Sequence, residues 1–324
     1  MVNAMNTRLF FSCLSGNNIY VPAKHDDTTM IHLLNSTEVS VRPIEKLDIV
    51  AAERKWAYFI QHPVNIKNIL WPIDIIHLEE QRLGLVFRKR AFPKMEPLKN
   101  LLYTPSLLSW KRNEIKVLVK NLLSAFKNIH DGGYSFHAFD MNTMYFVRST
   151  NEILFDFSLA LARHFDNISA VMKVDEDAVA TEFLPPWIDI EKREKLALAD
   201  DFYSIAALIF RLFIGRMPYQ GRYMDGHGDL MDAMRDTDPV DHIRMVSRYR
   251  ENPIFIFDPN DKSNRLGTMT HEERISDLWD ELPEKIKDMF IKTFAYSNIN
   301  NGYDDKKLYS ASEWLTALTE TGVL

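Results

Sequence analysis

Residues 140–158 have the sequence DMNTMYFVRSTNEILFDFS, in which two short hydrophobic runs flank a turn containing Ser, Thr and Asn. Such a pattern predicts an antiparallel β-hairpin. Asp140 precedes the first strand and Asp156 follows the second, so we expect the pairing to return both carboxylates to the same end of the ribbon. Two carboxylates placed in this way can share a divalent cation or divide the roles of base and metal ligand, although each can also cap a turn.

Helical patterns lie on both sides of this hairpin. Residues 110–130 carry one apolar stripe that is followed by two glycines, which predicts an amphipathic helix. Residues 199–214 are apolar nearly all round, which is typical of a helix buried in the centre of a lobe. Two further amphipathic helices are predicted at 283–296 and 310–319. The C-terminal two thirds of the chain is therefore predicted to be mostly helical.

The N-terminal third has a different pattern, dominated by short hydrophobic runs. Residues 8–50 contain several such runs separated by Gly, Asn, Asp and Pro, which predicts short strands. Helical spacing over 49–61 is stopped by Pro63, and two further strands are predicted around 69–76 and 84–87. We therefore expect a small β-rich unit with one helix.

The composition excludes several classes of protein. With 26% charged and 46% hydrophobic residues, the chain of 324 residues is expected to fold. Its net charge of −6 disfavours non-specific binding to nucleic acid or to an anionic membrane surface. Cys13 is the only cysteine, so no intramolecular disulfide can form, and the apolar segments at 9–11 and 205–214 are too short for a secretory signal or a membrane span. We therefore expect a cytoplasmic protein without a membrane anchor.

Longer motifs add a resemblance to a known family. Residues 199–221 read ADDFYSIAALIFRLFIGRMPYQG, which resembles the protein-kinase pattern D-x-[WF]-S-[LI] followed by G-x-x-P-[FY]-x-G. Residues 252–265 read NPIFIFDPNDKSNR and, together with WPID at 71–74 and EWL at 313–315, are similar to a bacterial group of kinase-domain proteins. Members of that group are encoded beside von Willebrand-type and metal-dependent phosphatase proteins. The motifs follow the kinase order over residues 39–318.

The resemblance implies an α+β fold of the bilobal protein-kinase kind. A small β-rich N-lobe would occupy residues 1–90 and a larger, mainly helical C-lobe residues 91–324, with a hinge near 87–92. The resemblance also implies ATP and Mg²⁺ as cofactors. Its candidate protein partners are the von Willebrand-type and phosphatase proteins, and neither nucleic acid nor membrane is expected as a partner.

The catalytic roles of the family carry over to this chain only in part. Where the family has the pattern H-R-D-x-x-x-x-N, this chain keeps the base as Asp140 but has Tyr145 in place of the metal-binding Asn. Asn142 lies nearby and is the candidate substitute for that ligand. The D-F-G motif reads DFS at 156–158, which keeps the metal-binding carboxylate of Asp156 and loses the flexible glycine.

The N-lobe motifs depart from the family further. VSVR at 39–42 stands in place of V-A-I-K, so Arg42 replaces the phosphate-binding Lys, and Glu53 in the following helix is its candidate ion-pair partner. Arg keeps the charge of Lys but is planar, bulkier and differently hydrated. The chain has only 11 glycines, and Gly16 alone precedes Gly84, so the glycine-rich loop that covers the phosphates of ATP is missing.

One buried ion pair of the family is replaced at both of its ends. The A-P-E motif corresponds to LPPW at 184–187, so Trp187 replaces the acid, and Leu308 stands where the family has its Arg partner. Replacing both members by apolar groups avoids leaving a buried charge unpaired. We therefore expect Trp187 to be buried near the last helices of the chain.

Other polar residues carry weaker signals. The acidic segment 225–242 has ligand types that suit a metal, but we interpret it as a solvated connector. The basic cluster at 88–90 is expected to be exposed. Asp201 is expected to cap the buried helix or to anchor the catalytic-loop backbone, and His130 is expected in a turn or in the core.

These features support one leading hypothesis and two alternatives. The leading hypothesis is a degenerate kinase, or pseudokinase, that acts by binding partner proteins and binds ATP weakly or not at all. The first alternative is an active atypical Ser/Thr kinase that uses Asp140 as base, Asp156 as metal ligand and Arg42 in place of Lys. The second is another nucleotide transfer, such as adenylylation, on the same scaffold.

Overall fold

Antiparallel strands form the N-terminal part of the chain and helices form most of the C-terminal part, so the fold is of the mixed α+β class. The computed structural model describes residues 10–11, 14, 19–24, 30–34, 37–44, 49–63, 69–78, 83–88, 95–102, 112–135, 143–147, 152–156, 163–164, 183, 185–186, 198–223, 253–267, 270–295 and 308–324. The strands are β1 (Phe10–Phe11), β2 (Ile19–Lys24), β3 (Met30–Leu34), β4 (Thr37–Ile44), β5 (Ile69–Leu70), β6 (Pro72–His77), β7 (Leu83–Arg88), β8 (Met95–Pro97), β9 (Tyr134–Ser135), β10 (Met144–Val147), β11 (Glu152–Asp156), β12 (Arg163–His164), β13 (Arg222–Tyr223) and β14 (Asn264–Arg265). The helices are α1 (Ile49–Gln61), α2 (Leu98–Leu102), α3 (Arg112–Asp131), α4 (Leu198–Ile214), α5 (Thr270–Asp280), α6 (Glu284–Phe294) and α7 (Ala311–Glu320).

The largest sheet has six antiparallel strands in the order β1-β2-β3-β4-β7-β6. Helix α1 and strand β5 lie between β4 and β6 in the sequence, and β7, not β6, pairs with β4. Val39 and Val41 of β4 pack with Ile76 and Val86 on one face of the sheet, whereas Leu85 of β7 belongs to the main core on the other. The two-residue period of a strand explains this alternation, which buries apolar side chains on both faces.

A second sheet, in the order β5-β11-β10-β8, contains the predicted hairpin. Strands β10 and β11 pair antiparallel from Met144 opposite Phe155 to Val147 opposite Glu152, which confirms the hairpin. Strand β5, which directly precedes β6 of the large sheet, pairs in parallel with β11, and β8 pairs with the other edge of β10. The second sheet therefore joins three parts of the chain that are distant in sequence.

Helix α4 lies in the centre of the helical part. Thirteen of its 17 residues are buried, including Ile205 and Phe210. Helices α3, α5 and α6 pack against it, and α3 also packs against α7. This burial confirms the prediction made from the continuous apolar pattern of residues 199–214. The other three helices predicted in this part are also present, with ends shifted by only one or two residues.

Helix α5 was not predicted. Ile275, Leu278 and Trp279 have the spacing of one helical face, and Ile275 and Trp279 are buried. The helix has only 11 residues and begins with charged side chains, so its apolar stripe is short. A search for apolar residues at helical spacing over a window of about 11 residues, the length of this helix, would have found it.

One main hydrophobic core extends across the predicted lobe boundary at residue 90. Trp56 and Phe59 of α1, Phe126 of α3 and Phe210 of α4 all belong to this core. The division into two lobes stays a prediction. Among the helices in the described ranges, none has the length and apolar character needed to cross a membrane.

Candidate functional site

The hairpin carries one predicted metal ligand at a defined backbone position. Asp156 is the last residue of β11, and its backbone pairs with Leu70 of β5. Because β11 runs antiparallel to β10, this end of β11 lies beside the start of β10 at Met144. Asp140 and Asn142 lie outside the described residues. The approach of the two carboxylates therefore stays a prediction.

Arg42 and Glu53 lie on two consecutive elements of the N-terminal part. Arg42 is on β4, where its backbone pairs with Leu85 of β7. Glu53 is half-buried on α1, the next element along the chain. The side chain of Arg42 is not among those described, so the predicted ion pair between these two residues stays a prediction.

A cluster of aromatic side chains fixes the C-terminal end of α1. The indole N–H of Trp71 donates a hydrogen bond of 2.9 Å to the carbonyl of Phe59, and the Tyr134 hydroxyl donates one of 2.6 Å to the carbonyl of His62. The rings of Phe59, Trp71 and Tyr134 contact one another with centroids 5.1 to 6.0 Å apart. Burial, and next the neighbouring Tyr58, raise the pKa of the Tyr134 phenol above its ordinary value, so it stays a donor. Helix α1 is thereby held to strand β9.

A buried polar contact joins α3 to the N-terminal end of α4. The Asp201 carboxylate, whose side chain is 1% exposed, lies 3.1 Å from Nε2 of His130. One turn later, the Ser204 hydroxyl donates a hydrogen bond of 2.7 Å to the carbonyl of Phe183. Asp201 was expected to cap the buried helix or to anchor the catalytic-loop backbone, and that backbone lies outside the described residues. His130 is a partner that the sequence did not indicate.

The other end of α4 is adjacent to the irregular segment 253–267. The side-chain amide of Asn264 donates hydrogen bonds to the carbonyls of Tyr219 and Ile254, at 2.9 and 2.7 Å. One carboxylate oxygen of Asp258 accepts hydrogen bonds from two backbone N–H groups that follow it in the chain. These bonds hold the segment in place although its only regular element is the two-residue strand β14.

A buried carboxylate lies beside this segment. The side chain of Glu272 on α5 is fully buried, and its oxygens lie 3.5 Å from the Arg216 guanidinium and 3.4 Å from the Arg222 guanidinium. The backbone at Gly267 passes so close that a Cβ there would lie 2.3 Å from a Glu272 oxygen. Any larger residue at this position would displace the charged group. Glu272 belongs to none of the sequence motifs, so only the tertiary structure identifies this cluster.

The remaining predicted residues are placed in part. Leu308 is half-buried and packs against the main core, as an apolar replacement would, whereas Trp187 lies outside the described residues. Arg88 is exposed, and the acidic segment 225–242 lies outside the described residues. Within the described ranges, no group of three or more His, Cys, Asp or Glu side chains is arranged to hold a metal ion.

Comparison with models of known protein families finds no match, and none of the curated proteins matches either. A proposal for its function therefore rests on the order of the motifs and on the geometry of the elements that carry them.

Proposed function

We propose that this protein is a degenerate kinase, or pseudokinase, that acts in the cytoplasm by binding partner proteins. It would have a small β-rich N-lobe and a larger helical C-lobe, and its motifs would serve as a scaffold instead of a phosphoryl-transfer centre. The resemblance of residues 252–265 suggests von Willebrand-type and phosphatase proteins as the partners.

The order of the elements around the motif residues carries the proposal. In protein kinases the phosphate-binding Lys lies on the third strand of the N-lobe, and its Glu partner lies on the helix that follows. Here Arg42 lies on β4, the third strand of the consecutive run β2-β3-β4, and Glu53 lies on α1, the next element. The hairpin that ends at Asp156 lies between α3 and the buried helix α4. Helices and strands in this order support a kinase-like scaffold.

The segment that joins β2 and β3 argues against tight binding of ATP. Kinases place a glycine-rich loop over the phosphates, where small residues allow the backbone to approach them. Residues 25–29 read HDDTT, with no glycine and with two carboxylates. Like charges repel, so carboxylates near a triphosphate would weaken its binding.

The hairpin also carries a poor metal ligand. Tyr145 is half-buried on β10 and stands where the kinase pattern has a metal-binding Asn. A phenol stays protonated at neutral pH and is a poor ligand for Mg²⁺. The chain also lacks the Lys, the glycine-rich loop and the catalytic-loop Arg, in whose place it has Phe139. Four losses of about 10-fold each would remove about 5–6 kcal/mol of transition-state stabilisation.

Titration calorimetry and phosphate labelling test this proposal. With Mg²⁺ or Mn²⁺ present, we expect ATP to give no measurable heat or a Kd above about 1 mM. With ATP labelled on the γ-phosphate, we expect the same background for the wild type and for Asp156→Asn. Asp131→Asn, at an exposed residue of α3, is the control for the change of charge.

One observation favours the active-kinase alternative. Asp140 and Asp156 are both retained, and strands β10 and β11 of the hairpin between them pair antiparallel. If γ-labelled phosphate is incorporated by the wild type and by Asp131→Asn but not by Asp156→Asn, the pseudokinase proposal is wrong and this alternative replaces it. Incorporation from the α-labelled nucleotide alone would indicate adenylylation.

A further inference from the structure

A cavity of about 440 Å³ lies between the segment 253–267 and helix α5. The side chains that matter for its chemistry are those of Ile256, Phe257, Lys262, Arg265, Glu273 and Trp279. The rings of Phe257 and Trp279 in its lining contact Phe210 in the last turns of α4, whereas Asp201 is in the first turn of the same helix. Asp201 and Phe210 are about 14 Å apart along the helix at about 1.5 Å per residue, so the cavity is separate from the His130–Asp201 contact.

The floor of the cavity is aromatic. The rings of Phe257 and Trp279 stack with their centroids 4.3 Å apart and their planes within 4° of each other. Phe255 contacts both rings edge-on and fixes their position in the core. A flat, held aromatic surface of this kind is complementary to a large apolar side chain.

Lys262 and Arg265 contribute positive charge to the lining of the cavity, which also contains Glu272 and Glu273. Arg265 is exposed on β14, and its side chain forms no hydrogen bond or ion pair with any residue in the part of the chain that the structure describes. The register of β13 and β14 places Arg265 directly opposite Arg222, an arrangement that like charges disfavour. The buried carboxylate of Glu272 already lies beside the guanidinium groups of Arg222 and Arg216. Its negative charge is therefore balanced by these two groups and does not balance Arg265. An anionic group from outside would therefore be stabilised at Arg265.

The walls of the cavity are formed before any ligand binds. Asn264 and Asp258 hold the segment by the side-chain-to-backbone hydrogen bonds described above, and Lys262 donates a hydrogen bond of 2.6 Å to the carbonyl of Asp258. A ligand would not have to order this segment, which reduces the entropic cost of binding. The volume lies in the range of preformed ligand pockets and has room for two or three side chains.

We propose that this cavity binds a short peptide segment of a partner protein, in which a large apolar side chain is flanked by an acidic residue. The apolar side chain would pack on Phe257 and Trp279, and the carboxylate would pair with Arg265. The carboxylate of Glu273 in the same lining and the net charge of −6 disfavour a polyanion such as nucleic acid, so a single carboxylate is the better match. This inference rests on the proposed partner-binding function, for which it names the surface.

Synthetic heptapeptides test the inference. An array would vary the central residue among Phe, Leu and Ser and the flanking residues among Asp, Lys and Ser, and calorimetry would measure the best binder. We expect binding only for an apolar centre with acidic flanks, with an affinity that falls as salt is added. Arg265→Glu should weaken binding at least about 10-fold, because it replaces the attraction of the guanidinium for the peptide carboxylate by repulsion, and Glu273→Gln should strengthen binding several-fold, because it removes a repulsion.

Lys120→Glu, at an exposed residue of α3, is the matched control and should leave the affinity unchanged. Thermal unfolding of each variant excludes misfolding as the cause of a loss. If no acid-flanked peptide binds the wild type, or if Arg265→Glu binds as well as the wild type, the inference is wrong. The two proposals can fail independently. ATP turnover together with peptide binding would overturn only the proposal of a pseudokinase. Absence of both peptide binding and ATP turnover would overturn only the proposal of a peptide-binding cavity.

Discussion

The two ends of helix α4 each lie beside a buried carboxylate, but the two carboxylates have different partners. At the N-terminal end, Asp201 faces the imidazole of His130, and at the C-terminal end Glu272 faces Arg216 and Arg222. An imidazole can be neutral and still form a hydrogen bond, whereas a guanidinium keeps its charge at any pH at which proteins fold. Although both carboxylates are buried, removing them should therefore lower the free energy of unfolding by different amounts.

The surroundings of the two ends differ as well. The N-terminal end adjoins α3, against which the hairpin that ends at Asp156 also packs through Phe126 and Phe155. The C-terminal end adjoins an irregular segment that Asn264 holds by hydrogen bonds and whose aromatic rings line a cavity. The comparison indicates that the described chemistry suited to recognition lies at the C-terminal end.

The largest effect is expected from Glu272→Ala. Removing this carboxylate leaves the 4% exposed Arg216 without its buried counter-charge, which should lower the free energy of unfolding by about 3–5 kcal/mol. Urea denaturation followed by circular dichroism measures the change. Glu273→Ala, at the exposed neighbouring residue, is the control and should change stability by less than about 0.5 kcal/mol. Equal effects of the two substitutions would contradict the buried charge cluster.

A smaller effect is expected from Asp201→Ala. It removes a buried hydrogen bond to a group that can be neutral, so the expected loss of stability is about 1–3 kcal/mol. Combining it with His130→Ala in a double-mutant cycle isolates the contact, and the two losses should not add. Additive losses would mean that Asp201 stabilises α4 through other partners and that the comparison of the two ends does not hold.

The smallest effect is expected from Lys127→Ala, one turn before His130. Lys127 pairs with Asp131 at the surface, with 38% and 60% of the two side chains exposed. Exposed pairs of this kind contribute less than about 1 kcal/mol and are weakened by salt. Denaturation at low and high salt measures the contribution. A loss of stability as large as that of Asp201→Ala would show that the burial of a contact does not determine how much it contributes to stability.

Helices and the hairpin could be predicted from sequence because their signals are local. Residues 199–214 are apolar nearly all round, and this alone indicated the burial that α4 shows. The hairpin followed from two hydrophobic runs around a polar turn. The helix that carries Glu53 was likewise expected from periodicity, whereas the choice of Arg42 and Glu53 as a pair came from the family resemblance. The contact of His130 with Asp201 was not, because the two residues are 71 positions apart and each also suits a local role.

The sequence by itself determined the positions of helices α1, α3, α4, α6 and α7 and of the hairpin, the shortage of glycine that argues against a phosphate-binding loop, and the burial of α4. These properties depend on residue type and on spacing within a few turns. Only the tertiary structure decided that β7 pairs with β4, that Glu272 faces two arginines, and that segment 253–267 and α5 line an open cavity. The physical reason is that these contacts join residues far apart in the chain, and the free energy that selects them comes from packing and charge burial, which no local pattern encodes.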